Sequence, residues 1–208
     1  MKLLSQIFDF VIYTSAKYKI DDSHGLSHSL DVLKYSNSIY ELEVIKRPYL
    51  KEQEKIIYIS SALHDMCDKK YMNEKEGLEN IQEFLEYKLK PSEIDITTNI
   101  INTMSYSKVK KNGFPNLDNY QWAYHIVRES DLLSAYKFER ALMYHMCVNK
   151  ESIDNALINA KDIFNYRVLA HNDDNLFFTE YGQKESLKLH NQAIIDMYQW
   201  NKIINKTI

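Results

Sequence analysis

The chain has 208 residues, of which 45% are hydrophobic and 26% are charged, and its formal net charge is −3. This is the composition of an ordinary soluble globular protein, and it argues against a nucleic-acid-binding surface, which needs a clearly basic face. Because no stretch approaches the roughly 18 uninterrupted apolar residues of a membrane span, we predict one domain over residues 1–208 that binds neither nucleic acid nor membrane.

The scarcity of glycine and proline predicts long helices instead of a turn-rich β protein. The chain contains only four glycines and three prolines. Apolar residues recur at helical spacing along most of its length. We therefore predict an all-α, single-domain helical bundle of about eight helices. Their expected ranges, in chain order, are 2–18, 26–44, 50–66, 74–89, 92–106, 118–147, 152–170 and 179–204.

Two histidine-containing segments carry the strongest chemical signal. The first is the segment Asp-Ser-His-Gly-Leu-Ser-His at residues 22–28, and the second is the pair His64-Asp65 at the end of an apolar helix. An imidazole and a carboxylate carried into a core need a partner, because burying an unpaired charge is costly. A divalent metal ion is such a partner, since it accepts mixed nitrogen and oxygen ligands. Four other histidines lack partners at ligand spacing and are interpreted as ordinary residues: His125, His145, His171 and His190.

These residues, with one distant aspartate, resemble the H…HD…D signature of the HD-domain superfamily of metal-dependent phosphohydrolases. His28 corresponds to the first histidine, His64-Asp65 to the HD pair, and Asp131 in IVRESDLL to the last aspartate. The segments DSHGLSHSLDVL and HDMCDKKY also resemble the first two motifs. The resemblance covers about residues 20–140. The helices over 152–204 carry no motif, and we expect them to pack on the motif-bearing part.

The resemblance implies that His28, His64, Asp65 and Asp131 hold one divalent metal ion, with Mn, Mg, Fe, Co, Ni and Zn all compatible. It also implies hydrolysis of a phosphomonoester or phosphoanhydride bond in a small phosphorylated substrate, expected to be a nucleotide. A bound metal would lower the pKa of water and polarise the phosphoryl group. Asp68, three residues after Asp65, is the expected general acid or base, although many relatives carry glutamate at this position.

The substrate phosphate also needs positive charge or hydrogen-bond donors near its oxygens. We expect these from Lys70 after the HD pair, from Lys108, and from Arg128, which precedes Asp131 by three residues. His24 is expected to contact the substrate or to orient a ligand. The competing interpretation is that the lysines near residue 110 are simply solvated in a loop.

A second functional class stays open, namely a metal-binding HD-type sensor or interaction protein without turnover, because a metal ion can be purely structural. The C-terminal helices over 152–204 are also a possible homodimer interface. Two cysteines, Cys67 and Cys147, do not make a disulfide framework, and we interpret Cys67 as a small core residue. The N-terminal segment lacks a small-residue cleavage site. We therefore expect a cytoplasmic protein.

Overall fold

Residues 2–206, which the computed structural model describes, fold into ten α-helices without any β-strand. The all-α prediction is confirmed, and the number of helices is close to the expected eight. None of the helices in this part of the chain is long and apolar enough to cross a membrane. The helices are α1 Leu3–Tyr18, α2 Leu26–Lys46, α3 Glu54–Leu63, α4 Glu74–Leu85, α5 Pro91–Thr103, α6 Tyr106–Asn112, α7 Gln121–Ser134, α8 Phe138–Cys147, α9 Ile153–Ile163 and α10 Glu180–Ile204. Short 3-10 turns at Pro48–Glu52, Asp118–Tyr120 and Leu169–His171, and a π-helical segment at Phe164–Val168, lie between them.

The single helix expected over 118–147 is interrupted, and this difference matters for the site. The chain leaves the helical path after Ser134 and starts α8 at Phe138, with Lys137 in an extended conformation between them. Tyr136 and Phe138 are both buried. The connection between α7 and α8 is therefore part of the core.

The centre of the fold is formed by α2, α3 and α7, which pack on one another. Helix α7 is buried on nearly all sides, and only a few of its residues reach the surface. Apolar side chains of α1, α3, α4 and α5 form one buried group, and those of α2, α7, α8, α9 and α10 contribute to a second. A ligand site carried by α2, the end of α3 and α7 is therefore placed on the most rigidly packed elements.

The start of α10 is fixed to α7 by a buried carboxylate. Glu129 accepts hydrogen bonds from the main-chain N–H of Phe178 (2.7 Å) and from the hydroxyl of Thr179 (2.6 Å). Thr179 also caps α10, because its hydroxyl oxygen accepts from the N–H of Gly182. A Cβ at residue 182 would lie 2.3 Å from a Glu129 carboxylate oxygen, so this close approach requires glycine.

Candidate metal centre

Three elements bring the expected ligands together. His28 lies near the start of α2, His64 and Asp65 follow the last residue of α3, and Asp131 lies in α7. Asp65 Oδ2 is 3.2 Å from His28 Nε2 and 3.4 Å from His64 Nε2. Asp131 Oδ1 is 3.3 Å and 3.6 Å from the same two nitrogens. His28, His64 and Asp65 alone place one ligand atom each within 4.8 Å of the others, so the group could hold a metal ion.

Hydrogen bonds on the far side of each imidazole ring fix its orientation. His64 Nδ1 lies 2.9 Å from the Ser61 carbonyl oxygen, so this nitrogen carries the proton and donates. The Ser134 hydroxyl donates to the Asp131 carbonyl (2.8 Å) and therefore accepts from Nδ1 of His28 (3.2 Å). Both rings consequently direct Nε2 toward the carboxylates. This is how metal-ligating histidines are oriented by their outer partners.

The chemistry of this donor set fits a divalent cation. The two Nε2 atoms lie 3.0 Å apart, a distance at which two bare lone pairs repel unless a proton or cation lies between them. Asp65 Oδ2 is buried and has ion-pair contacts with the two imidazoles and Arg140 but no hydrogen bond among the described residues. A metal ion would satisfy this oxygen and both nitrogens together.

The pKa values agree with a site that attracts positive charge. Burial would raise the pKa of Asp65, but the imidazole of His64 outweighs burial and holds this pKa well below its usual value. Burial would lower the pKa of His64, but the carboxylates of Asp65 and Asp131 outweigh it and raise this pKa well above its usual value. Without a metal, the cluster therefore keeps anionic carboxylates and holds a proton on His64.

A cavity of about 350 Å³ opens beside the cluster. Small-ligand pockets in proteins start at roughly 300 Å³, so this one suits a small ligand or part of a larger one. Its charged lining residues are Asp65, Asp68, Asp131, Glu74, Lys69, Lys70, Lys108, Arg140 and Arg167. The lining therefore combines the carboxylates with five cations, which suits an anion bound next to a metal ion.

Three of the expected substrate and catalytic residues meet on one wall of the cavity. His24 is buried, and burial holds its pKa well below the usual value, so its neutral Nε2 accepts from Lys70 Nζ (2.8 Å). Asp68 Oδ1 accepts from the main-chain N–H of Lys70, and its other oxygen is 3.4 Å from Lys70 Nζ. Helix α3 ends at Leu63, so Asp65 and Asp68 do not share a helix. Both carboxylates nevertheless line the same cavity.

The two remaining expected cations differ in position. Lys108 lines the cavity, but its ammonium group is engaged by Glu74 (2.5 Å) and by the side chain of Asn102 (2.9 Å). Arg128 does not line the cavity: it is 1% exposed and donates to the Leu176 carbonyl oxygen. Residues three apart on a helix diverge by about 60°. That angle turns Arg128 toward the segment before α10, so the structure does not bring it to the cavity that the other expected substrate residues line.

Arg140 was missed by the sequence analysis and lies at the centre of the site. Its Nη2 is 3.0 Å from His28 Nε2 and 3.9 Å from Asp65 Oδ2. In an unbroken helix, Arg140 would point about half a turn away from Asp131, nine residues earlier. The turn before α8 brings it back to the cavity. No local sequence pattern indicates this turn, which depends on how the end of α7 packs.

The C-terminal third also contributes to the cavity, through Arg167 and His171. From the sequence alone, His171 is interpreted as an ordinary residue, because it has no partner at ligand spacing. Cys67 also borders the cavity, and burial raises the pKa of its thiol to about 12. It therefore stays protonated, which agrees with its interpretation as a small core residue.

No family model matches this chain, and no curated protein sequence matches it. A solved structure is similar: the crystal structure of a structural-genomics target from Lactobacillus plantarum, with a TM-score of 0.68 and 16% sequence identity. The alignment covers 96% of this chain and 97% of that chain. At this identity, the similarity shows the fold alone. The helical architecture described above is thus one found in an experimental structure over nearly its full length.

Proposed function

We propose that the protein is a metal-dependent phosphohydrolase of the HD-domain type that acts on a small phosphorylated compound, expected to be a nucleotide. The observation that carries this proposal is the pairing of two Nε2-directed imidazoles, His28 and His64, with two carboxylates on the wall of a cation-lined cavity. A site of this kind supplies both a place for a divalent ion and positive charge for an anionic substrate.

The residues around the cluster have separable roles in this proposal. When bound, a divalent ion would polarise a phosphoryl oxygen and lower the pKa of water. Arg140 and Lys70 would donate to the non-bridging phosphoryl oxygens, where charge-assisted hydrogen bonds are strongest. Asp68, beside Lys70, would accept the proton of the attacking water. His24 would position Lys70 through the hydrogen bond that it accepts.

The role of Asp68 is tested by Asp68→Asn, which removes the base but keeps the size of the side chain. We expect turnover to fall by about 100-fold or more, as is typical of losing a general base. Metal content should be unchanged, because Asp68 is not a member of the ligand cluster. The measurements are phosphate release and elemental analysis. Asp95→Asn, at an exposed position of α5, is the matched control; a variant Asp68→Asn with full turnover would contradict the assignment.

The activity itself is tested with a panel of nucleoside mono-, di- and triphosphates in the presence of manganese. Phosphate and pyrophosphate release are measured for the wild type and for the double variant His64→Ala/Asp65→Ala. We expect one nucleotide class to be hydrolysed by the wild type alone. Absence of release across the panel and several metals, from folded protein that retains metal, would instead favour a non-nucleotide phosphoester or the sensor without turnover.

A further inference from the structure

The wall of the cavity contributed by the C-terminal third carries two polar side chains that the proposed reaction does not use. Arg167 lies in the π-helical segment Phe164–Val168, and His171 ends the 3-10 turn that follows. Both residues line the cavity. The two positions are four residues apart, a spacing at which side chains of a helical segment lie close to one another. Single-turn π segments are rare and frequently occur at functional sites.

Arg167 presents a charge that the described part of the chain does not compensate. Its guanidinium lies over the ring of Tyr106, 4.9 Å from the ring centroid, and it forms no ion pair with any residue between 2 and 206. Asp174, a carboxylate that contacts the same tyrosine, is already paired with Lys110 Nζ (2.7 Å) and with the Tyr106 hydroxyl (3.0 Å). The stacked guanidinium is therefore held in place with its N–H donors available to an anion.

His171 adds hydrogen-bonding capacity at the same wall. It is 1% exposed, and within the described residues neither of its ring nitrogens has a hydrogen-bond partner. Its ring packs against those of Tyr106 and Tyr136, with centroids 5.3 Å and 5.7 Å away. Burial lowers its pKa to about 3, so the ring is neutral and offers one donor and one acceptor. A group bound in the cavity that donates to or accepts from this ring would satisfy it, as is usual for buried polar groups in native proteins.

The reacting phosphoryl group does not need Arg167, because Arg140 lies 3.0 Å from His28 Nε2 and already places a guanidinium at the ligand cluster. Lys70 adds a second cation through its contact with His24. Arg140 with Lys70, and Arg167 from the C-terminal third, supply positive charge from different parts of the cavity lining, which fits a substrate with two anionic groups. This step rests on the proposed function, since it is the phosphohydrolase reaction that assigns Arg140 and Lys70 to the reacting phosphate.

We propose that Arg167, together with His171, binds a second phosphate of the substrate, and that the substrate class is a phosphoanhydride such as a nucleoside diphosphate or triphosphate. Arginine suits this role because its planar guanidinium can pair with two phosphate oxygens at once. A nucleoside monophosphate would leave Arg167 and His171 without a partner. The cavity volume of about 350 Å³ suits the phosphate chain, with the remainder of the nucleotide extending outward.

The test compares two probes that differ by one phosphate. Inorganic phosphate and imidodiphosphate, a pyrophosphate analogue that resists hydrolysis, are titrated into the protein by calorimetry, with equal magnesium concentrations in cell and syringe. The wild type should bind imidodiphosphate at least about tenfold more tightly than phosphate, the usual effect of one hydrogen bond to a charged group. Arg167→Gln should remove this advantage while changing the Kd for phosphate less than twofold.

Two further variants make the result specific. Lys111→Gln removes one charge from α6 at a residue outside the cavity lining, and it should leave both Kd values unchanged. Arg140→Gln should weaken both probes. The inference is overturned if the wild type binds the two probes equally or binds neither, or if Arg167→Gln weakens both probes equally or neither. Turnover of a nucleotide with no selective effect of Arg167→Gln would refute this inference alone, whereas a selective effect without any turnover would refute the proposed function alone.

Discussion

The two histidines of the cluster are oriented by different kinds of partner, and this makes one of them separately testable. His64 donates to the main-chain carbonyl of Ser61, which belongs to its own helix and which no side-chain substitution removes. His28 depends on the hydroxyl of Ser134, which lies on α7. The direction of His28 Nε2 is therefore set by a side chain that can be substituted while all four residues of the cluster are kept.

We predict that Ser134→Ala lowers the affinity for divalent metal by about 10- to 100-fold, the usual effect of removing an outer partner of a ligating histidine. The measurement is metal binding in competition with a chelating dye. Ser130→Ala is the matched control, because Ser130 is buried in the same helix and donates only to the Ile126 carbonyl. Equal metal affinity of Ser134→Ala and the wild type would show that Ser134 does not orient His28.

At the level of single residues, the sequence predicts the members of the histidine–carboxylate cluster better than it predicts the cations around it. His28, His64-Asp65 and Asp131 stand in the order of a known signature, and the structure brings these residues into contact. The directions of Arg128 and Arg140 depend instead on where α7 ends and on which segments pack beside it. Those are long-range properties, and no local pattern around either arginine contains them.

Helix α4 acts on the site through close packing against the loop that carries Asp65, Asp68 and Lys70. A Cβ at Gly77 would lie 2.6 Å from both the Cα and the Cβ of Cys67, closer than side chains approach one another. The Cα of Cys67 is a backbone atom, so it cannot move away without shifting the loop. Gly77 therefore lets α4 press directly on this loop and hold it in place.

We predict that Gly77→Ala lowers the free energy of unfolding by about 1–3 kcal/mol, the usual cost of overpacking a core. An unconstrained helical glycine would behave oppositely, because alanine is favoured over glycine in a helix by about 1 kcal/mol. Urea denaturation measures whether the free energy of unfolding falls or rises in Gly77→Ala. Glu79→Ala, at an exposed position of the same helix, should change stability by less than about 0.5 kcal/mol. A stabilised Gly77→Ala would rule out the close contact.

At the level of elements, the periodicity of apolar residues predicts helices that bury a single face. It does not predict helix ends or short helices that depend on contacts with distant segments. The ranges expected for α5 and α10 agree closely with the structure. The segment of α6 looked like a polar loop because of its lysines, but Val109 is buried and Tyr106 reaches Asp174. Helix α7 ends at Ser134, although the apolar pattern would have continued it into α8.

At the scale of the whole molecule, the site joins parts of the chain that lie far apart in sequence. The candidate metal-binding residues bridge α2, the end of α3 and α7, which form the centre of the fold. The C-terminal third then closes the cavity with Arg167 and His171, and Glu129 fixes the start of α10 to α7. No motif in the C-terminal third predicts this contribution, because it arises from how α9 and α10 pack on the core.

Because the cluster cross-links the central helices, a metal ion that binds it should stabilise the entire fold. At a free metal concentration of about 100 times Kd, binding to the folded state alone adds about 2.7 kcal/mol. For a chain of this size, each kcal/mol corresponds to about 2–4 °C, so we predict a rise in Tm of about 5–10 °C. Scanning calorimetry of metal-free protein, before and after addition of manganese or zinc, measures the shift, and a chelator should reverse it.

The variant His64→Ala/Asp65→Ala should show no shift, since it lacks two residues of the cluster. An equal shift in wild type and variant would place the metal elsewhere, and no shift with any divalent ion would show that the four side chains hold a proton and not a metal.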